Sequence, residues 1–356
     1  MRSWGFWSEK VRHAGFPGFF SEKIGVPVYP FESPNFLPSA KNKQVNLVRS
    51  VAYNLFRLHK YLSSIRYINR MIKETGADVV VNFYELLTGL TYLFCHPKAL
   101  MVCIAHQYLF LHPDFVFPGQ NRLSLVSLKF FTRMTAIGAT KKLALSFRKM
   151  REVPSERIVV VPPLLRKEVL ETTPVNGDYL HGYLLNSGFS EEIRSWHKVH
   201  PNVALHIFWD KKEVRPEVKV DSFLSFHQLN DTLFIRYMAG AKAYATTAGF
   251  ESVCEAMYLG KPVLMVPTHI EQSCNAFDAV QAGAGVVADR FDLDALLELS
   301  RTHRPNPAFS HWVKQADWLI LREFRPDLLM EETPAFLVGR RLSTRWIYRL
   351  GKTLSI

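Results

Sequence analysis

The sequence has no apolar run long enough to cross a bilayer as a helix. Its best stretch, Val79 to Phe110, is broken by Asn82, Glu85, His96, Pro97 and Lys98, where a span needs about 18 uninterrupted apolar residues. It also has no close pair of cysteines. Cys95, Cys103, Cys254 and Cys274 stand apart in apolar surroundings, which excludes the CxxC metal and redox motifs and reads as buried free thiols in a reducing, cytoplasmic setting. The opening MRSWGFWSEK lacks the apolar segment that a secretory leader carries behind its positive charge. Acidic residues are missing from two long stretches: none lies between Ser33 and Lys73, and none follows Glu332.

Those two stretches carry much of the net charge of +12. In the first, Lys41, Lys43, Arg49, Arg57, Lys60, Arg66, Arg70 and Lys73 accompany Val48, Val51, Leu55, Leu58, Leu62, Ile65 and Ile72 at helical spacing, so one face is expected to pack inward while the cations face out. In the second, Arg341, Arg345 and Arg349 share one helical face and Leu342, Trp346, Leu350 and Leu354 another. Solvated helix faces account for both. Peripheral contact with an anionic membrane is the functional reading, at roughly 1 kcal/mol per basic residue near the surface. No nucleic acid is expected, because the chain has no zinc-finger spacing, aromatic RNA-binding signature or DNA-binding helix pair.

What the chain does have is length and alternation. Its 356 residues with 48% hydrophobic content exceed one ordinary core and predict two domains. Strand-like ADVVVNF, ALMVCIA, KLALSF and RIVVVPP alternate with helical segments in the first half, as do YLHGYLL, ALHIFWD, SFLSFH, AKAYATT and PVLMVP in the second. That pattern predicts parallel sheets covered by helices. Pro162-Pro163 and the run ETTPVNGD cannot continue a central strand and place the boundary there. The expected division is 1–165, 178–325 and a basic tail 326–356.

In such sheets ligands sit at the carboxyl ends of the strands, which singles out Ser187, Gly188, His227, Gly249, His269, Glu271 and Gln272. The stretch TAGFESVCEAM, Thr247 to Met257, is the most informative. A strand ends at Ala248-Gly249 and a helix follows, closing at Gly260. A helix N-terminus offers free N–H groups and partial positive charge, a ready site for phosphate. Gly249 permits close approach, Ser252 adds a hydroxyl, and Glu255 lies one turn on along the same face, within reach of a pentose hydroxyl pair.

This stretch continues into GKPVLMVPTHIEQSCNAFDAVQAGAG, and the whole resembles the donor-binding signature of GT-B glycosyltransferases, a fold of two Rossmann-like doubly wound α/β domains facing a cleft. The resemblance rests on Gly249, Ser252, Glu255, Gly260, Pro262, Pro267, Glu271-Gln272, Asn275-Ala276 and Gly283 in register. It is nearest the branch of UDP-glycosyltransferases, macrolide glycosyltransferases and the lipid II-forming N-acetylglucosaminyltransferase. It implies that Gly249, Phe250 and Ser252 line a diphosphate, that Glu255 binds ribose, and that Glu271 and Gln272 contact the donor sugar. Thr247 stands where many members carry a charged phosphate ligand, Ser187-Gly188 match a flexible donor-domain loop, and His227 follows the strand near which the nucleobase sits.

The resemblance implies a metal-independent hexosyltransferase with no cofactor, using a nucleotide-sugar, UDP-linked by analogy, and an acceptor that is lipid-linked or of the cell envelope, or else a small soluble molecule. His106 and Glu85, after two first-domain strands, are the candidate catalytic groups; either a histidine or a carboxylate can take an acceptor proton. Two other readings remain open: a nucleotide-binding paralogue without turnover, and a UDP-sugar 2-epimerase, against which THIEQSCNA departs from the expected run. Family members open with a strand, a glycine-rich loop and a helix that the present start does not match, so the first βα unit is expected to be absent.

Overall fold

The computed structural model describes residues 5–8, 28–34, 52–119, 122–211 and 215–325. Two α/β bodies form the molecule. In the first, β3 (Val79–Asn82), β4 (Leu100–Ala105), β5 (Lys141–Leu145) and β6 (Ile158–Val161) make a parallel sheet in the order β3-β4-β5-β6. Between them run α1 (Leu58–Thr75), which precedes β3, then α2 (Leu86–Cys95) and α3 (Arg122–Thr135). Strands β1 (Gly5–Ser8) and β2 (Val28–Phe31) pair parallel with each other as a separate two-stranded sheet.

Strand β4 shows how the sequence sets the layers. Its six residues are all buried, as befits a central parallel strand covered on both faces. Successive side chains point to opposite faces. Met101, Cys103 and Ala105 enter a core shared with Ile65, Ile68 and Ile72 of α1 and Leu87 of α2. Leu100, Val102 and Ile104 enter a second core with Val159 and Val161.

That second core is closed by a segment from the far end of the chain. Helix α11 (Ala316–Arg322) brings Ile320 and Phe324 onto the first sheet, and Lys141 Nζ donates to Glu323 Oε2 at 3.0 Å, both side chains almost fully buried. The expected division at 325 therefore needs amending. Residues 316–324 follow the second body in sequence but complete the core of the first, because that sheet's outer face is apolar and needs a cover; each large side chain so buried is worth about 1.5–3 kcal/mol.

The second body is a seven-stranded sheet in the order β13-β12-β11-β7-β8-β10-β9. It comprises β7 (Tyr179–Leu184), β8 (Ala204–Trp209), β9 (Glu217–Lys219), β10 (Leu224–Gln228), β11 (Ala243–Thr246), β12 (Val263–Met265) and β13 (Gly285–Val287). All neighbours run parallel except β9, which pairs antiparallel with β10 at the edge. Its helices are α5 (Ser190–Val199), α6 (Asp231–Gly240), α7 (Phe250–Tyr258), α8 (Ile270–Gln281), α9 (Leu293–Thr302) and α10 (Pro307–Val313). The short helix α4 (Lys167–Leu170) lies in the connection between the two sheets.

Helix α1 meets expectation in place and in part of its face, with Ile65 and Ile72 buried as expected. Its buried stripe is Tyr61, Ser64, Ile65, Ile68 and Ile72, while Leu55, Leu58 and Leu62, expected inside, are exposed. The stretch 35–51 and the basic tail 326–356 lie outside the described residues. Among the described residues no helix is long and apolar enough to cross a membrane.

Candidate active site

Two strand-to-helix corners face the region between the bodies, and each turns on a non-glycine residue in the left-handed region: Tyr84 (φ 62°) after β3 and Ala248 (φ 63°) after β11. Such residues cost of order 1–3 kcal/mol and cluster at functional sites. At the second corner Gly249 is the residue that starts α7, with φ −65° and no side-chain cap. Among the described residues nothing requires glycine there. Its φ suits any residue, and an added Cβ would meet only Ser252 Oγ, at an ordinary 3.6 Å. The start of α7 thus has no capping side chain on Gly249, and free amides at a helix start suit an anion. Ser252 Oγ donates to the Gly249 carbonyl at 3.3 Å.

Glu255 is buried on α7, one turn beyond Ser252. Burial pushes its carboxyl up; Arg166 pulls it back, and the balance leaves it above the ordinary carboxylate value. The partner is specific. Arg166 Nε donates to Oε1 at 2.7 Å and Nη2 to Oε2 at 2.9 Å, a bidentate charge-assisted pair, while Nη1 reaches Asp231 Oδ1 at 3.4 Å. Sequence reasoning missed Arg166. It sits immediately before α4 in the inter-sheet connection, 89 positions from Glu255, and only the fold brings them together.

The side chain of Phe250 turns inward from the helix tip. It is buried, stacked on the His106 ring with centroids 4.5 Å apart and planes 9° apart, and tilted against Phe147 at 4.7 Å. Its backbone N–H is what the tip offers. The stacking brings a first-body histidine against the first residue of α7.

His106 begins a short 3₁₀ segment, His106–Leu111, directly after β4. Its Nε2 lies 3.0 Å from Glu271 Oε1, and Gln107 Nε2 donates to the same oxygen at 3.0 Å. An ionised carboxylate only accepts, so this geometry puts a proton on Nε2. Among the described residues Nδ1 has no hydrogen-bond partner. Burial pushes Glu271 up, but the His106 hydrogen bond and charge, with His269 and Gln107, outweigh it and hold the carboxyl below its ordinary value. His269 itself, the residue starting α8, is pushed down by burial.

The remaining expected residues divide. Thr247 is buried at the α7 corner. Ser187 and Gly188 form a short turn after β7, where Asn186 Oδ1 accepts from Gly188 N at 2.8 Å. Gln272 is buried with its carbonyl oxygen turned back on Thr268, accepting from N at 2.9 Å and Oγ1 at 2.8 Å. Only its amide nitrogen is left for an outside group.

Glu85 and His227 both have partners within the fold. Glu85 is the N-cap of α2: its carboxylate accepts from Leu87 N at 3.1 Å and from Ser33 Oγ at 2.6 Å. The same residue type that could serve as a base is favoured as a cap when it stands at a helix start. His227 is buried on the sheet, 3.2 Å from His206 Nδ1 and stacked on Phe208. Its other ring neighbours are His206 and Tyr237, and burial lowers its pKa.

One spacing in the sequence has the look of a metal motif. In Asp292-Leu293-Asp294, however, Asp292 caps α9 through Ala295 N at 3.1 Å and Asp294 pairs with His200 at 3.2 Å. Among the described residues no three His, Cys, Asp or Glu side chains gather as a metal site.

Comparison with known proteins bears on the family and the fold. The family model for glycosyl transferase family 1 matches residues 35–299. Over 52 residues, 15% of the chain, it is 38% identical to a Caenorhabditis elegans protein that bears the name UDP-glucuronosyltransferase ugt-48, and spans a tenth of that relative's length. Three solved structures share its fold at low identity. The glycotransferase of kitacinnamycin has a TM-score of 0.55 at 16% identity, covering 87% of both chains. LpCGTa in complex with UDP scores 0.56 at 13%, covering 93% of this chain and 92% of the other. Arabidopsis thaliana UGT89C1 complexed with UDP-L-rhamnose scores 0.55 at 13%, covering 94% and 91%. With a GT-B fold of two α/β bodies and a family model that matches most of its length, the chain belongs to glycosyl transferase family 1.

Proposed function

We propose that the chain transfers a sugar from a nucleoside diphosphate donor, UDP-linked, to a hydroxyl acceptor held by the first body, without a metal. The diphosphate lies over the uncapped first turn of α7, where the amides of Phe250, Glu251 and Ser252 offset its charge and that of the departing phosphate. The ribose hydroxyls meet Glu255, either on the lone pairs that Arg166 leaves free or after Arg166 moves. Glu271 spends Oε1 on His106 and Gln107, which leaves Oε2 for a sugar hydroxyl, and the Gln272 amide donates alongside it.

In this reading His106 is the general base. Glu271 holds its Nε2–H, so Nδ1 is the basic nitrogen and takes the acceptor proton as the acceptor oxygen attacks the anomeric carbon. The bond to diphosphate breaks as the new glycosidic bond forms. Glu85, committed to its helix, is not given the base role, and His227 is not given a nucleobase role. The solved neighbours whose names mention UDP or UDP-L-rhamnose support the choice of donor, and the acceptor is read as lipid-linked.

The observation that carries the proposal is the combination at α7: a glycine that nothing among the described residues demands, a helix start without a capping side chain on it, and a buried carboxylate one turn on. Incubation with a labelled UDP-sugar tests it. Label should move to an acceptor fraction only when an acceptor extract is present, and His106→Gln should lower turnover by roughly 10²–10⁴-fold with UDP affinity unchanged. Sugar released equally well into water, or full turnover in His106→Gln, would overturn it.

A further inference from the structure

Helix α3 is barely buried; among its residues only Thr132 and Thr135 are enclosed. Leu123, Val126 and Phe130 stand 75%, 65% and 62% exposed. Their spacing of three and four residues aligns them along one side of the helix. Arg122, Lys129 and Arg133 accompany them and the helix contains no acid. Lys129 Nζ lies 4.2 Å from the centre of the Phe117 ring, an arrangement that keeps its charge. An apolar stripe whose only charged companions on the helix are cations complements a surface that is both apolar and anionic.

Its position gives the stripe a use. Helix α3 packs against α8, the helix that bears Glu271 and Gln272, and Thr132 Oγ1 hydrogen-bonds Tyr84 Oη at 2.9 Å at the first strand-to-helix corner. The outer side of α3 therefore faces solvent beside the sugar-transfer site. We propose that this stripe docks the enzyme on an anionic phospholipid bilayer, with Leu123, Val126 and Phe130 entering the acyl boundary and Arg122, Lys129 and Arg133 meeting the headgroups. Docking there brings a lipid-linked acceptor to the His106 side of the cleft. The proposal extends the lipid-acceptor reading but is measured apart from donor binding.

Flotation of the full chain with phosphatidylcholine vesicles, with and without phosphatidylglycerol, provides the test. Binding should require phosphatidylglycerol and fade with salt. The triple variant Leu123→Ser, Val126→Ser, Phe130→Ser and, separately, Arg122→Gln with Arg133→Gln should each weaken it about tenfold or more, with UDP affinity unchanged. The charge variant keeps the apolar residues, so it stands as the independent check if the triple variant fails to fold. Flotation equal to the parent chain in the charge variant overturns the proposal. So does conversion of a self-associated parent to monomer by the triple variant, seen by light scattering, which assigns the stripe to a second copy. Loss of UDP binding in the parent chain alongside intact flotation would instead sink the donor-site reading alone.

Discussion

The corners at Tyr84 and Ala248 are built from the same backbone device and end in opposite electrostatics. Each strand turns into a helix through one left-handed non-glycine residue. At the first, Glu85 follows and folds its carboxylate over the helix start. At the second, Gly249 follows and leaves the start bare. The first corner has a capping carboxylate of its own; the second has none, and the proposed donor site uses that difference.

Exchanging the two solutions gives the largest expected effect. Gly249→Asp should cap α7 as Glu85 caps α2, stabilising the helix by about 1 kcal/mol while placing a negative charge where the diphosphate belongs. UDP affinity in calorimetry should fall by at least about tenfold while the melting temperature holds or rises; retained affinity would erase the distinction between the corners. The converse change, Glu85→Ala, should cost roughly 1 kcal/mol of stability through the lost cap, read from denaturant midpoints, with UDP affinity unaffected. If it instead abolished UDP binding, the first corner would belong to the donor site.

A smaller effect concerns Arg166. In the proposed donor site Glu255 accepts a ribose hydroxyl on both oxygens only when ionised, so UDP affinity should decline as pH falls through its raised pKa. Arg166 is the group that opposes the rise, so in Arg166→Ala the decline should begin at higher pH. An unshifted profile would mean that Glu255 does not govern binding.

The smallest prediction lies away from both corners. His181 and His206, neighbours across β7 and β8, are held neutral by burial, which lowers them to about 3 and about 4 from an unfolded value near 6.5. The unfolded chain binds these protons first, so their contribution is complete above about pH 6.5 and is lost as pH falls toward the folded values. Denaturant midpoints should drop over that window, and His181→Phe should flatten the drop.

Much of this was legible in the sequence where a signal is local. The runs ALMVCIA, AKAYATT and PVLMVP each contain a strand, the first ending at Ala105 as read and the other two one and two residues before the run ends, and the helix start at Phe250 follows from an apolar run meeting turn residues. What was not legible depends on chain segments meeting at a distance. The Arg166–Glu255 pair, the return of Ile320 and Phe324 to the first sheet, and the Glu271–His106 contact between the bodies leave no periodic trace. Part of the α1 face was misjudged for another reason: Leu58 and Leu62 satisfy helical spacing as well as Tyr61, Ile65 and Ile68 do, and only the neighbouring α2 and β4 decide between them. Glu85 had two uses compatible with its position, and the cap won.

A crystal soaked in UDP tests the central claim most directly. The account predicts diphosphate oxygens within hydrogen-bond distance of the Phe250, Glu251 and Ser252 amides and ribose hydroxyls on the Glu255 carboxylate. A nucleotide bound elsewhere, with the α7 start bare and Glu255 still closed by Arg166, would contradict it.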